Sequence, residues 1–164
     1  NKPVITAING TAAGAGFSLA IAGDFAISAD TAKYTLAYTG AGLSPDGSST
    51  YVLPRLVGIR KAMELMITNR VLTAAEALDW GLISEVVATA ELMSRANELA
   101  TQLANGPSAA YGQVKNLLMS SFQNGYETQL QLESDGIANM ASTSDGKEGI
   151  AAFLEKRKPN FTGK

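Results

Sequence analysis

The sequence predicts a mixed α/β fold followed by a helical region. Short apolar runs closed by turn residues indicate strands near the start, and the first is Val4–Ile8 before Asn9-Gly10. From about residue 47 onward, apolar residues recur mainly at helical spacing. The composition changes near Gly106-Pro107. We therefore expect a mixed α/β region over residues 1–105 and a helical region over residues 106–164.

The composition excludes several classes of protein. The chain has 164 residues, of which 46% are hydrophobic and 17% charged, and its net charge is −2. The sequence contains no basic stripe of the kind that binds nucleic acids, and no apolar run that is long enough to span a membrane. Because cysteine and histidine are absent, this chain alone offers no thiolate or histidine metal site and no Ser-His-Asp triad. We expect a soluble cytoplasmic protein.

The individual elements follow in order. Beyond the first strand, the predicted strands are Asp24–Ser28, Tyr34–Tyr38 and Ile83–Val87. The predicted helices are the segment after Gly16, Ile59–Thr68, a short helix ending near Trp80, Leu92–Leu103, a helix opened by Pro107, Tyr126–Met140, and a last helix after Asp145. Thr73 with Glu76, and Asp145 with Glu148, have the spacing of capping boxes.

The glycine-rich stretch GTAAGAGF has two possible meanings. It lacks the Lys-Ser/Thr pair of a Walker loop, and Leu19 stands where a dinucleotide fingerprint would have its third glycine. One reading is a close-packed turn between a strand and a helix. The other is an oxyanion hole, in which backbone N–H groups at a helix start stabilise charge on a carbonyl oxygen.

Asp46 lies in Ser44-Pro45-Asp46-Gly47 and is the main candidate for acid/base chemistry. Such a tetrapeptide is typical of a turn or a helix N-cap, and in isolation that reading is favoured. The neighbouring Ser48 and Ser49 have no histidine partner in this chain, which argues against a serine nucleophile. The surroundings of Asp46 must therefore decide its role.

Four stretches together resemble the crotonase (enoyl-CoA hydratase/isomerase) superfamily. They are NKPVITAINGTAAGAGFSLAIAGDFAIS, AKYTLAYTGAGLSPDGSSTYVLPRLVG, RKAMELMITNRVLTAAEALDWGLISEVV and DGKEGIAAFLEKRKPNFTGK, and they cover nearly the whole chain in the family's order. The resemblance implies a crotonase-like ββα spiral core with an α-helical C-terminal oligomerisation region. Members of this family are longer, so we expect the N-terminal part of the spiral core to be absent from this chain.

The resemblance also assigns site residues. The backbone N–H of Ala15, with Gly14 and Gly16 beside it, corresponds to one donor of the family's oxyanion hole for the thioester oxygen. The family's hydratases use two glutamates, and those positions here are Ser18 and Tyr38. The resemblance therefore disfavours a typical hydratase.

Asp46 stands where hydratases usually have glycine and where two kinds of relative have aspartate. Isomerases of the ring-1,2-epoxyphenylacetyl-CoA type use one carboxylate to move a proton, and Leu43, Tyr38 and Val52 would form an apolar wall around it. In 4-chlorobenzoyl-CoA dehalogenase the aspartate is a nucleophile, and hydrolysis needs a histidine from elsewhere. The pattern favours the isomerase. A non-catalytic acyl-CoA-binding subunit is a further alternative.

The resemblance implies an acyl-CoA substrate, with coenzyme A as part of the substrate and no separate cofactor. It places Phe153, Lys156 and Phe161 of the last helical segment near the CoA moiety. It also implies a homotrimer or a dimer of trimers.

Overall fold

The computed structural model describes residues 1–163, and these form two compact units. One unit is Val4–Glu98, and the other combines Asn1–Pro3 with the chain from Leu99 onward. The division at Leu99 lies within a helix, a few residues before the predicted domain boundary at residue 106. That domain boundary remains a prediction.

Six short strands of the first unit form two three-stranded sheets. They are β1 Ile5–Ile8, β2 Thr11–Ala13, β3 Phe25–Ala29, β4 Lys33–Thr35, β5 Leu72–Thr73 and β6 Glu85–Val87. The first sheet has the order β1-β3-β6 and is parallel throughout. The second has the order β2-β4-β5, in which β4 and β5 are antiparallel. Successive strand pairs followed by helices confirm the predicted α/β architecture.

Four helices lie entirely within this unit, namely α1 Ala15–Ile21, α2 Ser49–Val57, α3 Ile59–Thr68 and α4 Ala74–Asp79. The bounds of α3 agree with the prediction. The capping box before α4 is also confirmed, because the Thr73 side chain accepts from the Glu76 N–H while the Glu76 carboxylate accepts from the Thr73 N–H. The residue preferences at the N-terminus of a helix therefore predict the start of α4 correctly.

The core of the unit packs α1 against the second sheet. Phe17 and Tyr34 are fully buried, and their rings meet edge to face with centroids 6.4 Å apart. The Tyr34 hydroxyl donates to Ser28 Oγ at 2.7 Å, which satisfies both buried polar groups. Burial raises the pKa of Tyr34, so its hydroxyl remains a donor at neutral pH. The helix that carries the glycine-rich turn is therefore firmly held.

The predicted strand Tyr34–Tyr38 is too long, because β4 ends at Thr35. Ala37 adopts a positive φ of 59°, which an extended strand cannot contain. A 3₁₀ turn over Thr39–Ala41 follows directly, with Tyr38 at its N-cap. The chain therefore turns at Tyr38, the residue whose hydroxyl donates to Asp46.

The second unit contains α6 Ser108–Ser121, α7 Tyr126–Ser142 and α8 Ser144–Leu154, while α5 Leu92–Ala104 runs from the first unit into it. Pro107 is the N-cap of α6, one residue outside the predicted helix interior. Several large apolar side chains of this unit are exposed, among them Ile137 at 73%. Within residues 1–163, the helices are too short or too polar to cross a membrane.

The predicted capping box of Asp145 with Glu148 is wrong. Thr143 caps α8 instead and accepts from the Gly146 N–H at 3.0 Å. The Asp145 carboxylate accepts from the backbone N–H groups of Thr162 and Gly163, so it ties the C-terminal segment to α8. Glu148 forms an ion pair with Arg157 of the same segment. Both carboxylates therefore bind tertiary partners and do not cap the helix.

Candidate active site

The backbone of Asp46 is fixed between α1 and α2. Its carbonyl oxygen accepts from Ser18 Oγ at 3.0 Å, from Ser49 Oγ at 2.9 Å and from the Ser49 N–H at 3.2 Å. Both serines are buried, with 3% and 1% of their surface exposed. Ser18 lies on α1 and Ser49 opens α2, so the two helices hold the same carbonyl.

The Asp46 side chain does not cap a helix. The N-cap of α2 is Ser48, in a left-handed conformation and without a side-chain capping hydrogen bond. The Asp46 carboxylate instead accepts a hydrogen bond from the Tyr38 hydroxyl, whose oxygen lies 2.5 Å from Oδ1. This contact raises the pKa of Tyr38, burial adds to the rise, and the Ser18 hydroxyl partly opposes it.

Gly47 allows the loop after Asp46 to approach α1 closely. Its φ is +60°, and a Cβ placed there would lie 2.8 Å from the Cβ of Ser18. Only glycine combines this backbone conformation with such a contact at low cost. The sequence motif Pro-Asp-Gly therefore has two tasks, the turn itself and the approach to α1.

The glycine-rich turn lies on the other side of Tyr38. A Cβ at Gly14 would be 3.9 Å from Cζ of the Tyr38 ring, and Gly14 itself has a φ of +54°. The Gly14 carbonyl accepts from the N–H groups of Phe17 and Ser18. The N–H groups of Ala15 and Gly16 begin α1, where no intrahelical acceptor exists. Both residues are exposed, so a ligand can reach them.

A groove of about 330 Å³ runs along the outer side of this turn. It is lined by residues of β1, of the following turn and of α1, including Ile8, Asn9, Gly16 and Leu19. Gly16 thus connects the predicted oxyanion turn with an open concave surface. No motif in the residues of β1 marks this groove in the sequence.

The predicted apolar wall around Asp46 is found only in part. Tyr38 contacts the carboxylate, but Leu43 is 62% exposed and Asp46 itself is exposed in this chain. Leu43 follows the 3₁₀ turn, and its N–H donates to the Tyr38 carbonyl, which directs the backbone and leaves the side chain in solvent. Among the described residues, the structure therefore places Tyr38 against the carboxylate and leaves the Leu43 side chain in solvent.

The remaining predicted binding residues belong to the other compact unit. Phe153 is 83% exposed near the end of α8, and Lys156 follows with a φ of +54°. The Phe161 ring lies close to Gly149. Their predicted role near coenzyme A remains a prediction.

Two residues of the site escaped functional assignment in the sequence. Ser49 was considered only as a nucleophile, and Ser18 only as a position where a glutamate is missing, although both anchor the Asp46 carbonyl. A serine three residues after Asp46 is a local signal that could have identified Ser49. No local signal identifies Ser18, which is 28 residues away in the sequence. Among residues 1–163 no group of three metal-ligating side chains comes together.

Comparison with known proteins identifies the family. The sequence profile described as Enoyl-CoA hydratase/isomerase matches residues 1–164. The chain is 44% identical over 163 residues to 1,2-epoxyphenylacetyl-CoA isomerase of Escherichia coli K12, covering 99% of this chain and 62% of that protein. It is 37% identical over 155 residues to 4-chlorobenzoyl coenzyme A dehalogenase-1 of an Arthrobacter species, covering 94% of this chain and 56% of that protein.

A solved structure supports the same conclusion. An enoyl-CoA hydratase from Polaromonas sp. JS666 superposes with a TM-score of 0.92 at 38% identity, over 98% of this chain and 62% of that one. The chain thus spans less than two thirds of the length of the relatives it matches. The crotonase-like fold predicted from the sequence is confirmed, and the chain belongs to the enoyl-CoA hydratase/isomerase family.

Proposed function

We propose that this protein is an acyl-CoA isomerase in which Asp46 moves a proton between two carbons of an unsaturated or ring-epoxide acyl-CoA thioester. The observation that carries the proposal is the convergence of Ser18 and Tyr38 on Asp46. By the family resemblance, these two positions hold the glutamates of hydratases. Here they hold hydroxyl groups, of which Ser18 donates to the main-chain carbonyl of Asp46 and Tyr38 donates to its carboxylate.

The chemistry of a 3-enoyl-CoA needs one base. The Asp46 carboxylate removes a proton from C2, and the electron pair of that C–H bond spreads over C2, C3, C4 and the thioester oxygen. The N–H of Ala15, flanked by Gly14 and Gly16, stabilises the charge on that oxygen. The carboxylic acid then returns the proton to C4, which yields the 2-enoyl isomer and restores the carboxylate.

Hydration makes a different demand. Adding water across a double bond requires one group to activate the water and another to deliver a proton. Ser18 and Tyr38 are poor replacements for a pair of carboxylates, since neither hydroxyl ionises readily near neutral pH. Isomerisation is therefore the better use of these residues.

Two alternative functions are compatible with the same contacts at Asp46. A dehalogenase-like enzyme would use an oxygen of Asp46 as nucleophile toward an aryl ring, and the 37% identity to such an enzyme favours testing it. These 164 residues contain no histidine, so the histidine that hydrolyses the resulting ester would have to come from elsewhere. A non-catalytic acyl-CoA-binding subunit would have no need for a carboxylate at the reacting carbons of the acyl group.

We further propose that Tyr38 and Leu43 contact the acyl group and that Phe153, Lys156 and Phe161 contact coenzyme A. The exposed apolar side chains on α6 and α7, including Leu118, support assembly into a trimer or a dimer of trimers. No separate cofactor is required by the proposed chemistry.

A substrate panel tests the proposal. The full-length protein is incubated with a 3-enoyl-CoA, a 2-enoyl-CoA and 4-chlorobenzoyl-CoA in separate reactions, and products are identified by mass spectrometry and chromatography. We expect conversion of the 3-enoyl to the 2-enoyl compound, with little hydrated product. Loss of chloride from the aryl substrate, or hydration faster than isomerisation, would contradict the proposal, and binding without any conversion would leave the binding subunit as the better account.

A further inference from the structure

We propose that Tyr38 is a positioning residue that holds one oxygen of the Asp46 carboxylate, so that the other oxygen alone carries the proton. This inference rests on the proposed isomerase function. It concerns how the carboxylate is oriented, a property that neither the sequence motif nor the family resemblance specifies. Separate sets of contacts fix the main chain of Asp46, its side chain and Tyr38 itself.

The main chain of Asp46 cannot drift, because its carbonyl accepts three hydrogen bonds from Ser18 and Ser49. Rotation about the side-chain bonds is the freedom that remains. The Tyr38 hydroxyl removes it, since its oxygen lies 2.5 Å from Oδ1, the short distance typical of a hydrogen bond to a charged acceptor. Oδ2 is then the oxygen presented to a substrate.

Tyr38 is itself held in place. Its carbonyl accepts from the N–H groups of Ala41 and Leu43, both at 3.0 Å, so the 3₁₀ turn anchors its backbone. Its ring lies over Gly14, where a larger residue would come within van der Waals contact. The groups that act on its hydroxyl are the charged Asp46 and the neutral Ser18. The raised pKa of Tyr38 means that it remains a donor throughout the neutral range.

Proton transfer through only one carboxylate oxygen of Asp46 has a chemical consequence. The proton leaves C2 toward Oδ2 and returns from Oδ2 to C4, so both events occur on the same face of the substrate. The bond that breaks at C2 is replaced by one at C4, and no atom is gained or lost. Because the carboxyl group is held in one orientation, Oδ2 stays beside the substrate, and part of the transferred proton is delivered to C4 before it exchanges with solvent.

The first experiment compares wild type, Tyr38→Phe and the matched control Tyr126→Phe, which removes the same hydroxyl from a residue that is 75% exposed on α7. A 3-enoyl-CoA deuterated at C2 is the substrate, and circular dichroism verifies that each variant folds. We expect Tyr38→Phe to lower kcat on the order of 10- to 100-fold with little change in KM. We also expect less deuterium at C4 of its product, whereas Tyr126→Phe behaves like wild type.

Tyr38→Phe with kcat within about twofold of wild type and unchanged deuterium transfer would overturn the inference. A wild-type protein without isomerase activity would instead overturn the proposed function. A second experiment tests the role of Tyr38 separately from the proposed function, because it does not require enzyme activity. The five tyrosines are labelled with ¹³C at Cζ and titrated by NMR, with the Tyr38 signal assigned from its absence in Tyr38→Phe.

In this titration we expect the Tyr38 pKa to lie above its ordinary value in wild type and to fall in Asp46→Asn, because the negative charge that opposes ionisation is gone. A Tyr38 pKa that is the same in both proteins would show that the hydroxyl does not hold the carboxylate. That result would overturn the inference even if isomerisation is observed.

Discussion

Replacing Gly47 by alanine tests the packing that places Asp46 beside α1. Gly47 has a φ of +60°, which for a residue with a Cβ costs about 1–2 kcal/mol. The added methyl group would also lie 2.8 Å from the Cβ of Ser18 and 3.1 Å from its Oγ. Forcing such an atom into a packed site costs roughly a further 1–3 kcal/mol. We therefore expect Gly47→Ala to lower the free energy of unfolding by about 2–5 kcal/mol.

Gly42→Ala is the matched control. Gly42 also has a positive φ, of +72°, but a Cβ there would meet no atom within 4 Å. Its expected cost is only the backbone strain, about 1–2 kcal/mol. Both variants gain the same benefit from a less flexible unfolded chain, so this contribution cancels when they are compared.

The assay is urea unfolding at pH 7, followed by circular dichroism. The difference between the two variants is expected to be about 1–3 kcal/mol, with Gly47→Ala the less stable. In a Ser18→Gly background the cost of Gly47→Ala should shrink, because the atoms in the way are gone. Equal stability of Gly42→Ala and Gly47→Ala, within about 0.5 kcal/mol, would refute the described approach of the loop to α1.

Two further predictions concern features outside the site. Thr73→Ala removes the side chain that caps α4 and should lower the free energy of unfolding by about 1 kcal/mol, measured in the same urea assay, and no loss would contradict the capping box. Hydrogen bonds from Arg157 and from the Asn160 N–H lower the pKa of Glu148 from 4.5 to about 2. The stability this gives is fully present above pH 4.5 and is lost as the pH falls through about 2. Thermal unfolding over this range should show a smaller pH dependence in Glu148→Gln, and identical profiles would contradict the pairing.

Elements with local signals were predictable from the sequence. The helix Ile59–Thr68 is found with the predicted bounds, and the Thr73–Glu76 capping box is present with both of its hydrogen bonds. In each case the residues that determine the structure lie within a few positions of one another. Helical spacing and capping preferences act at that range, so one stretch of sequence contains the whole signal.

Elements that depend on distant partners were not predictable. Asp145 and Glu148 have the spacing of a capping box, but the carboxylate of Asp145 binds backbone N–H groups 17 and 18 residues away. Tyr34–Tyr38 alternates like a strand, yet the positive φ of Ala37 ends it early. Nothing in either local pattern reveals the tertiary contact or the reversal that replaces the expected structure.

The candidate site shows the same division. The family resemblance singled out Ser18, Tyr38 and Asp46 one by one, as positions in an order along the chain. That the first two hydrogen-bond to the third follows only from the folded chain, in which α1 and the segment after β4 both meet the loop before α2. Conversely, the prediction that Leu43 belongs to an apolar wall around Asp46 relied on apolar character alone, and that side chain is exposed.

The most direct test of the central claim is the isomerisation rate of Asp46→Asn relative to wild type. The amide keeps the size of the side chain but cannot accept a proton from carbon, and Asp79→Asn makes the same change at an exposed aspartate of the same unit. With the full-length proteins and saturating 3-enoyl-CoA, we predict that kcat falls by about 100- to 10,000-fold in Asp46→Asn and is unchanged in Asp79→Asn. A kcat for Asp46→Asn within a few fold of wild type would contradict the role of Asp46 as the base.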